Sequence, residues 1–218
     1  MTAKERYTKL SSILDEMYPN AQLELHFENG YQLFVAILLA ARCTDKLVNE
    51  KTPVLFFKYP SFHALSHASY TELVSLLGDI TYAENKAQQL IAAANIIMEK
   101  HNGDLPSDII DLLSLPGIGR KSANTIISEI YNTPAIAVDT HVSRVAQRIG
   151  LSKGKDPLAI EKDLMRIIPK ANWSNFTRQA TLFGRYKCTY NTPTCTNCLA
   201  KDFCATKTPD TQTELLLF

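Results

Sequence analysis

The sequence predicts an all-α protein, and three observations carry that expectation. Apolar residues recur at helical intervals along most of the chain, start and stop signals stand at the ends of those runs, and the only strand-like stretch, Ala135 to Val138, is too short and solitary to build a sheet. The period of three and four shows in Tyr7, Leu10, Ile13, Leu14 and Met17, in Leu90, Ile91, Ala94, Ile97 and Met98, and in Val142, Val145 and Ile149. Ser69-Tyr70-Thr71-Glu72 and Thr81-Tyr82-Ala83-Glu84 have the form of capping boxes. Asp156-Pro157 offers an N-cap followed by proline at the first helical position, and Asn102-Gly103 and Gly150 read as stops. About ten helices are expected, without repeats or low-complexity segments.

A chain of 218 residues can bury a sizeable core, as one large domain or two small ones. Lys and Arg number 23 against 22 Asp and Glu, so the overall field does not advertise a nucleic-acid binder. A DNA ligand would have to meet a local basic face. The start, MTAKERYTKL, has no apolar core after its charges and is not expected to act as a signal peptide. The most apolar run, Leu33 to Ala41, is about half the ~20 residues needed to span a bilayer and reads as a buried helix. A soluble, intracellular protein without a membrane partner is expected. After Cys204 the polar stretch ATKTPDTQT is expected to leave the packed body.

Four of the five cysteines fall in one run, Cys188-x6-Cys195-x2-Cys198-x5-Cys204. In a reducing compartment such a cluster suggests metal ligation rather than disulfides. Four soft thiolates select zinc or an iron–sulfur cluster. Zinc ribbons present two short Cys-x-x-Cys knuckles and this run has one, so the spacing leaves both metals open. The role expected in either case is a structural staple. Cys43 lies outside the run and reads as a small buried apolar residue.

Leu115-Pro116-Gly117-Ile118-Gly119 interrupts two helical stretches, roughly 107–114 and 120–131. Gly117 and Gly119 allow a tight turn whose N–H groups can approach an anion, and the following helix points its positive end the same way. Arg120 and Lys121 then place two cations in the first helical turn, the wrong sign for the macrodipole. A bound phosphate would compensate them. The positive helix end and the neighbouring arginine also favour the neutral amine a nucleophile needs, the other reading of Lys121 being an ordinary solvated lysine. Downstream, Asp139 is placed to cap a helix, which does not exclude a catalytic carboxylate. His141 reads as a satisfied structural histidine or as a phosphate contact. Arg144, Arg148, Lys153 and Lys155 make this segment locally basic.

LPGIGRKSAN (115–124), AVDTHVSRV (137–145), FGRY (183–186) and the four cysteines, in this order, resemble the endonuclease III family over about residues 22–204. The resemblance implies two helical domains with DNA bound across the groove between them. A six-helix barrel with the helix–hairpin–helix would cover 22–133, and an iron–sulfur cluster domain would combine 1–21 with 134–206, leaving 207–218 as a tail. It implies a [4Fe–4S] cluster on Cys188, Cys195, Cys198 and Cys204. It implies a bifunctional DNA glycosylase and abasic-site lyase of bacterial base excision repair, acting as a cytoplasmic, nucleoid-associated monomer on oxidised pyrimidines in duplex DNA. Lys121 would be the Schiff-base nucleophile and Asp139 its supporting carboxylate, from opposite walls of the groove. Arg42, Gly117, Gly119, Arg120, His141 and Arg144 would contact DNA.

The chain departs from the family pattern in places. Arg42 stands where many relatives carry the glutamine that fills the gap left by a flipped base, and Asp79 to Glu84 matches the wedge loop poorly. Thr189 to Thr194 holds no Lys or Arg, where relatives often have several. Two other functions stay in view: a monofunctional mismatch-type glycosylase, which generally lacks a lysine after the GIGR-type turn, and a non-catalytic DNA-binding module with structural zinc. The chain ends Glu214-Leu215-Leu216-Leu217-Phe218, which either folds back or docks a sliding clamp through Leu217 and Phe218 as pocket anchors.

Overall fold

The computed structural model describes residues 1–206, and all regular structure among them is helical. α1 spans Ala3–Met17. α2 (Gly30–Ala40), α3 (Asp45–Lys58), α4 (Phe62–Ser66), α5 (Tyr70–Leu77), α6 (Ala83–His101), α7 (Ile109–Ser114) and α8 (Arg120–Ile130) follow. α9 (Thr140–Ile149), α10 (Pro157–Ile167) and α11 (Trp173–Tyr186) complete the α-helices, and three short 3₁₀ turns lie after α10. The stretch 135–138 forms no strand. Among the described residues, no helix is long and apolar enough to cross a membrane. The chain divides into two compact units, one of Leu23–Thr133 and one of Met1–Gln22 with the chain from Pro134 onward.

The 23–133 unit is built around α2. Residues 33–39 are all buried, which is why that helix is apolar on every face. It packs against α3, α6 and α8, while α4 and α5 lie on α6 and α7 on α8. Leu90, Ala93, Ala94 and Ile97 of α6 and Ile126 of α8 share its core. Phe62 of α4 meets Tyr31 and Phe34 edge-on, with ring centroids 5.0 and 5.4 Å apart, the arrangement aromatic quadrupoles favour.

In the other unit α9 and α11 pack on each other and α1 and α10 close around them. Leu10, Leu14, Val142, Val145, Ile149, Phe176 and Phe183 form its core. Arg6 ties α1 down, donating from Nη1 to the Ile149 carbonyl at 3.3 Å and to the Phe203 carbonyl.

Several helix ends follow the sequence. Asp156 caps α10 through Ala159 N at 2.9 Å with Pro157 at the first position. Asn102 and Gly150 end α6 and α9 in the left-handed conformation. The two expected capping boxes do not form. Ser69 makes no cap: its hydroxyl pairs with Thr71 Oγ1 at 3.1 Å, and Glu72, whose side chain would complete the box, is drawn to Lys58 Nζ and to Tyr59 Oη at 2.7 Å. Thr81 is not the cap of α6; Tyr82 occupies that place with φ 62°. A reciprocal capping box forms instead at the start of α1, between Thr2 and Glu5.

Candidate nucleic-acid interface and metal centre

In the hairpin, Leu115 and Ile118 are buried and hold the turn, while Gly117 and Gly119 face solvent. The two glycines are there for different reasons. Gly117 has φ 81°, and a Cβ on it would meet Gln89 Oε1 and Leu38 Cδ1 at 2.9 Å each. Gly119 has an ordinary φ of −98°, and a Cβ on it would meet nothing within 4 Å. Neither backbone strain nor packing inside the protein requires a glycine at 119. Asp108 caps α7 through Ile110 N at 2.7 Å, so α7 begins slightly later than the spacing suggested. No side chain caps α8, whose first turn holds Arg120 and Lys121 and no acid. Both are exposed, and Lys121 Nζ has no partner among the described residues.

The same unit carries two further exposed residues with left-handed backbone, Arg42 (φ 62°) after α2 and Tyr82 (φ 62°) before α6. Between them stands a group that sequence reasoning missed. Cys43 is not a plain apolar residue: its Sγ accepts from Thr81 N at 3.3 Å and lies 3.5 Å from Lys86 Nζ. Burial works against the Cys43 thiolate, but the bonds from Thr81 and Lys86 outweigh it and hold the thiol below its ordinary value. Lys86 is itself buried. Nothing local signals this contact, since its partners lie far apart in sequence.

In the other unit, Asp139 caps α9. One oxygen, Oδ1, accepts from His141 N at 2.9 Å and Val142 N at 2.8 Å. Oδ2 accepts no hydrogen bond among the described residues, so the cap uses half of the carboxylate. Gly184 of α11 lies against the start of α9. A Cβ there would stand 2.9 Å from His141 Cβ and 3.1 Å from its carbonyl oxygen, which gives the glycine of the FGRY segment a packing reason. Arg144 Nη2 donates to Gly184 O at 2.6 Å and sits 3.1 Å from His141 Nδ1. A guanidinium only donates, so Nδ1 accepts and the ring proton is on Nε2. Arg144 Nε also donates to Cys188 O at 2.8 Å. The guanidinium expected to contact DNA is thus bonded to its own unit's backbone, and His141 to the guanidinium.

Cys188, Cys195, Cys198 and Cys204 lie in this unit, each half-buried and none in a disulfide. Arg148 holds both ends of their segment. Its guanidinium donates to Thr189 O at 2.6 Å and Tyr190 O at 3.0 Å, with Nη1 3.6 Å from Cys188 Sγ. Its own carbonyl accepts from Thr206 N at 2.9 Å and Cys204 Sγ at 3.1 Å. Burial, and then the neighbouring cysteines, push the Cys198 and Cys204 thiols above their ordinary value. Among the described residues, no three His, Cys, Asp or Glu side chains are grouped to hold a single metal ion. Leu217 and Phe218 lie outside the described residues.

A glycine turn opening onto a cationic, uncapped helix suits the binding of a phosphate, and comparison with known proteins gives the class: a base excision repair enzyme, a DNA glycosylase and lyase. The HhH-GPD superfamily of base excision DNA repair proteins matches residues 35–170. Endonuclease III of Synechocystis sp. is 39% identical over 202 residues, 92% of either chain, and that of Bacillus subtilis 40% identical over 192 residues, 88% of either chain. A solved structure of a trapped endonuclease III–DNA covalent intermediate superposes with a TM-score of 0.90 at 38% identity, covering 94% of this chain and 96% of the other. A thermostable thymine-DNA glycosylase, TM-score 0.82 at 21% identity over 93% and 96% of the two chains, shares the fold. The chain belongs to the endonuclease III family.

Proposed function

We propose that this protein is a bifunctional DNA glycosylase and abasic-site lyase that removes oxidised pyrimidines from duplex DNA. The observation that carries the reading is Gly119. It is glycine where neither backbone strain nor packing demands one, at the open end of α8, and a side chain there would stand in the way of something arriving from outside. A phosphate suits that place: it accepts from the uncapped N–H groups and neutralises the cationic first turn. The nucleophile is Lys121, whose Nζ carries, among the described residues, no ion pair that would have to break.

The duplex is kinked and the damaged nucleotide turned out of the stack. Lys121 Nζ, as the free amine, attacks C1′; the C1′–N bond breaks and the base leaves as its anion, which takes a proton from water. Ring opening gives a Schiff base, loss of a C2′ proton expels the 3′ phosphate by β-elimination, and water releases the lysine. Asp139 stabilises the cationic sugar and accepts the lysine proton, using the oxygen that the helix cap leaves idle. Cys188, Cys195, Cys198 and Cys204 would hold a [4Fe–4S] cluster. That all four thiols lie in one unit, with none in a disulfide, supports this. Bound there, it supplies four cross-links and no step of the reaction. The tail residues Leu217 and Phe218 are assigned, on sequence alone, to docking on a sliding clamp.

The test is borohydride trapping on abasic and thymine-glycol duplexes. The wild type should become covalently attached, and Lys121→Gln should bind abasic DNA without being trapped. Trapping of Lys121→Gln at the wild-type level would overturn the assignment.

A further inference from the structure

Lys86 is 4% exposed, yet among the described residues no carboxylate partners it. Its ammonium donates to Leu39 O at 2.8 Å, to Ala41 O at 2.6 Å and toward Cys43 Sγ at 3.5 Å. The first two acceptors are carbonyls at the C-terminal end of α2, where a cation is welcome. Burial nevertheless pushes the Lys86 pKa down, with Cys43 opposing that shift. A methionine of similar length would fill the space without taking a charge out of water, so packing of α6 does not explain the lysine. The bonds do: together with the donation from Thr81 N to the same sulfur at 3.3 Å, they join the turn after α2 to the turn before α6.

Each joined turn presents one exposed residue in the left-handed region, Arg42 and Tyr82. The other non-glycine residues with positive φ among those described are Asn102 and Asn132, and asparagine tolerates that conformation. Arginine and tyrosine do not, and such strain persists where surrounding bonds over-determine it. An arginine fork and a phenol ring suit complementary tasks on an opened duplex. The fork donates to the edge of an unpaired base, and the ring stacks on a base face.

We propose that Lys86, with Cys43 as the shared acceptor, is a positioning residue that couples Arg42 and Tyr82 into a single lesion-reading element. This rests on the DNA-repair function proposed above. The coupling is measured with full-length protein on duplexes carrying an abasic site or none, with 2-aminopurine opposite the lesion. Arg42→Ala and Tyr82→Ala should each lower lesion selectivity and the 2-aminopurine signal, with the double variant losing far less than the product of the two. In a Cys43→Ala background the two effects should multiply independently. Cys43→Ala or Lys86→Met should raise the half-saturating enzyme concentration on the order of tenfold, the scale of a coupling lost between neighbours, while the single-turnover rate at saturation falls less than about threefold. Cys43→Ser keeps an acceptor and should restore the wild-type pattern. Independent effects of Arg42 and Tyr82 in the wild type, or unchanged selectivity in Cys43→Ala, would overturn the coupling. Should Lys86→Met not fold, Cys43→Ala decides. A wild type that is never trapped on abasic DNA would instead refute the underlying function.

Discussion

Replacing the two hairpin glycines by alanine should separate binding from stability. At Gly117 the left-handed backbone costs an alanine about 1–2 kcal/mol, and contacts at 2.9 Å with Gln89 and Leu38 add an overpacking cost of about 1–3 kcal/mol. Gln89 can swing aside, which favours the lower end of that range. At Gly119, the N-cap of α8, φ is ordinary and the space is open, so the gain of about 0.4–1 kcal/mol that alanine makes through the unfolded chain is set against its weaker N-capping, and the two should nearly cancel. At about 2–4 °C per kcal/mol for a chain of this size, Gly117→Ala should melt several degrees below the wild type and Gly119→Ala close to it. Affinity for an abasic duplex, read by fluorescence anisotropy at fixed salt, should fall in both variants. The added methyl of Gly119→Ala stands where the phosphate approaches. Circular dichroism melts and anisotropy titrations on the same preparations suffice. A Gly119→Ala protein that melts well below the wild type, or that binds abasic DNA normally, would refute the reasoning.

Two further outcomes are expected. Asp139→Asn keeps an oxygen able to accept from His141 N and Val142 N, so its melting temperature should hardly change. Its single-turnover excision rate should fall by about 10²-fold or more, and a change within twofold would leave Asp139 as a helix cap alone. The second concerns alkali. Burial, then Glu72, pushes the Tyr59 phenol up to about 12, and burial pushes Tyr31 up as well. The folded state therefore holds these protons more tightly than the unfolded chain. For Tyr59 that stabilising contribution is complete below pH 10 and is lost as pH rises through its folded value of about 12. Tyr59→Phe should flatten the fall in melting temperature across that window, and an identical alkaline limb would count against the assignment.

Local chemistry was the legible part of this chain. Asp156 with Pro157, Asn102 and Gly150 act within a turn of their own position, and the structure uses each as its residue type suggests. The false capping boxes show the limit. Glu72 had the right spacing from Ser69, but Lys58 and Tyr59, brought near by tertiary packing, offered a stronger partner. Lys86 and Cys43 were invisible for a similar reason: a buried amine meeting carbonyls of another helix leaves no periodic trace. Gly119 was noticed as half of a turn motif, but only the empty space beside it shows that the turn does not need it.

The two grips that Arg148 keeps on the cysteine segment are not equally open to mutation. The hold on Thr189 and Tyr190 is made by the side chain and disappears with almost any replacement. The hold on Cys204 and Thr206 is made by the main-chain carbonyl and survives every replacement that leaves α9 intact. Inheritance can therefore loosen the front of the segment by a single codon change but cannot loosen its back from the same position. Variants at this residue form a graded series, in which the segment is released from its first cysteine while its last stays moored.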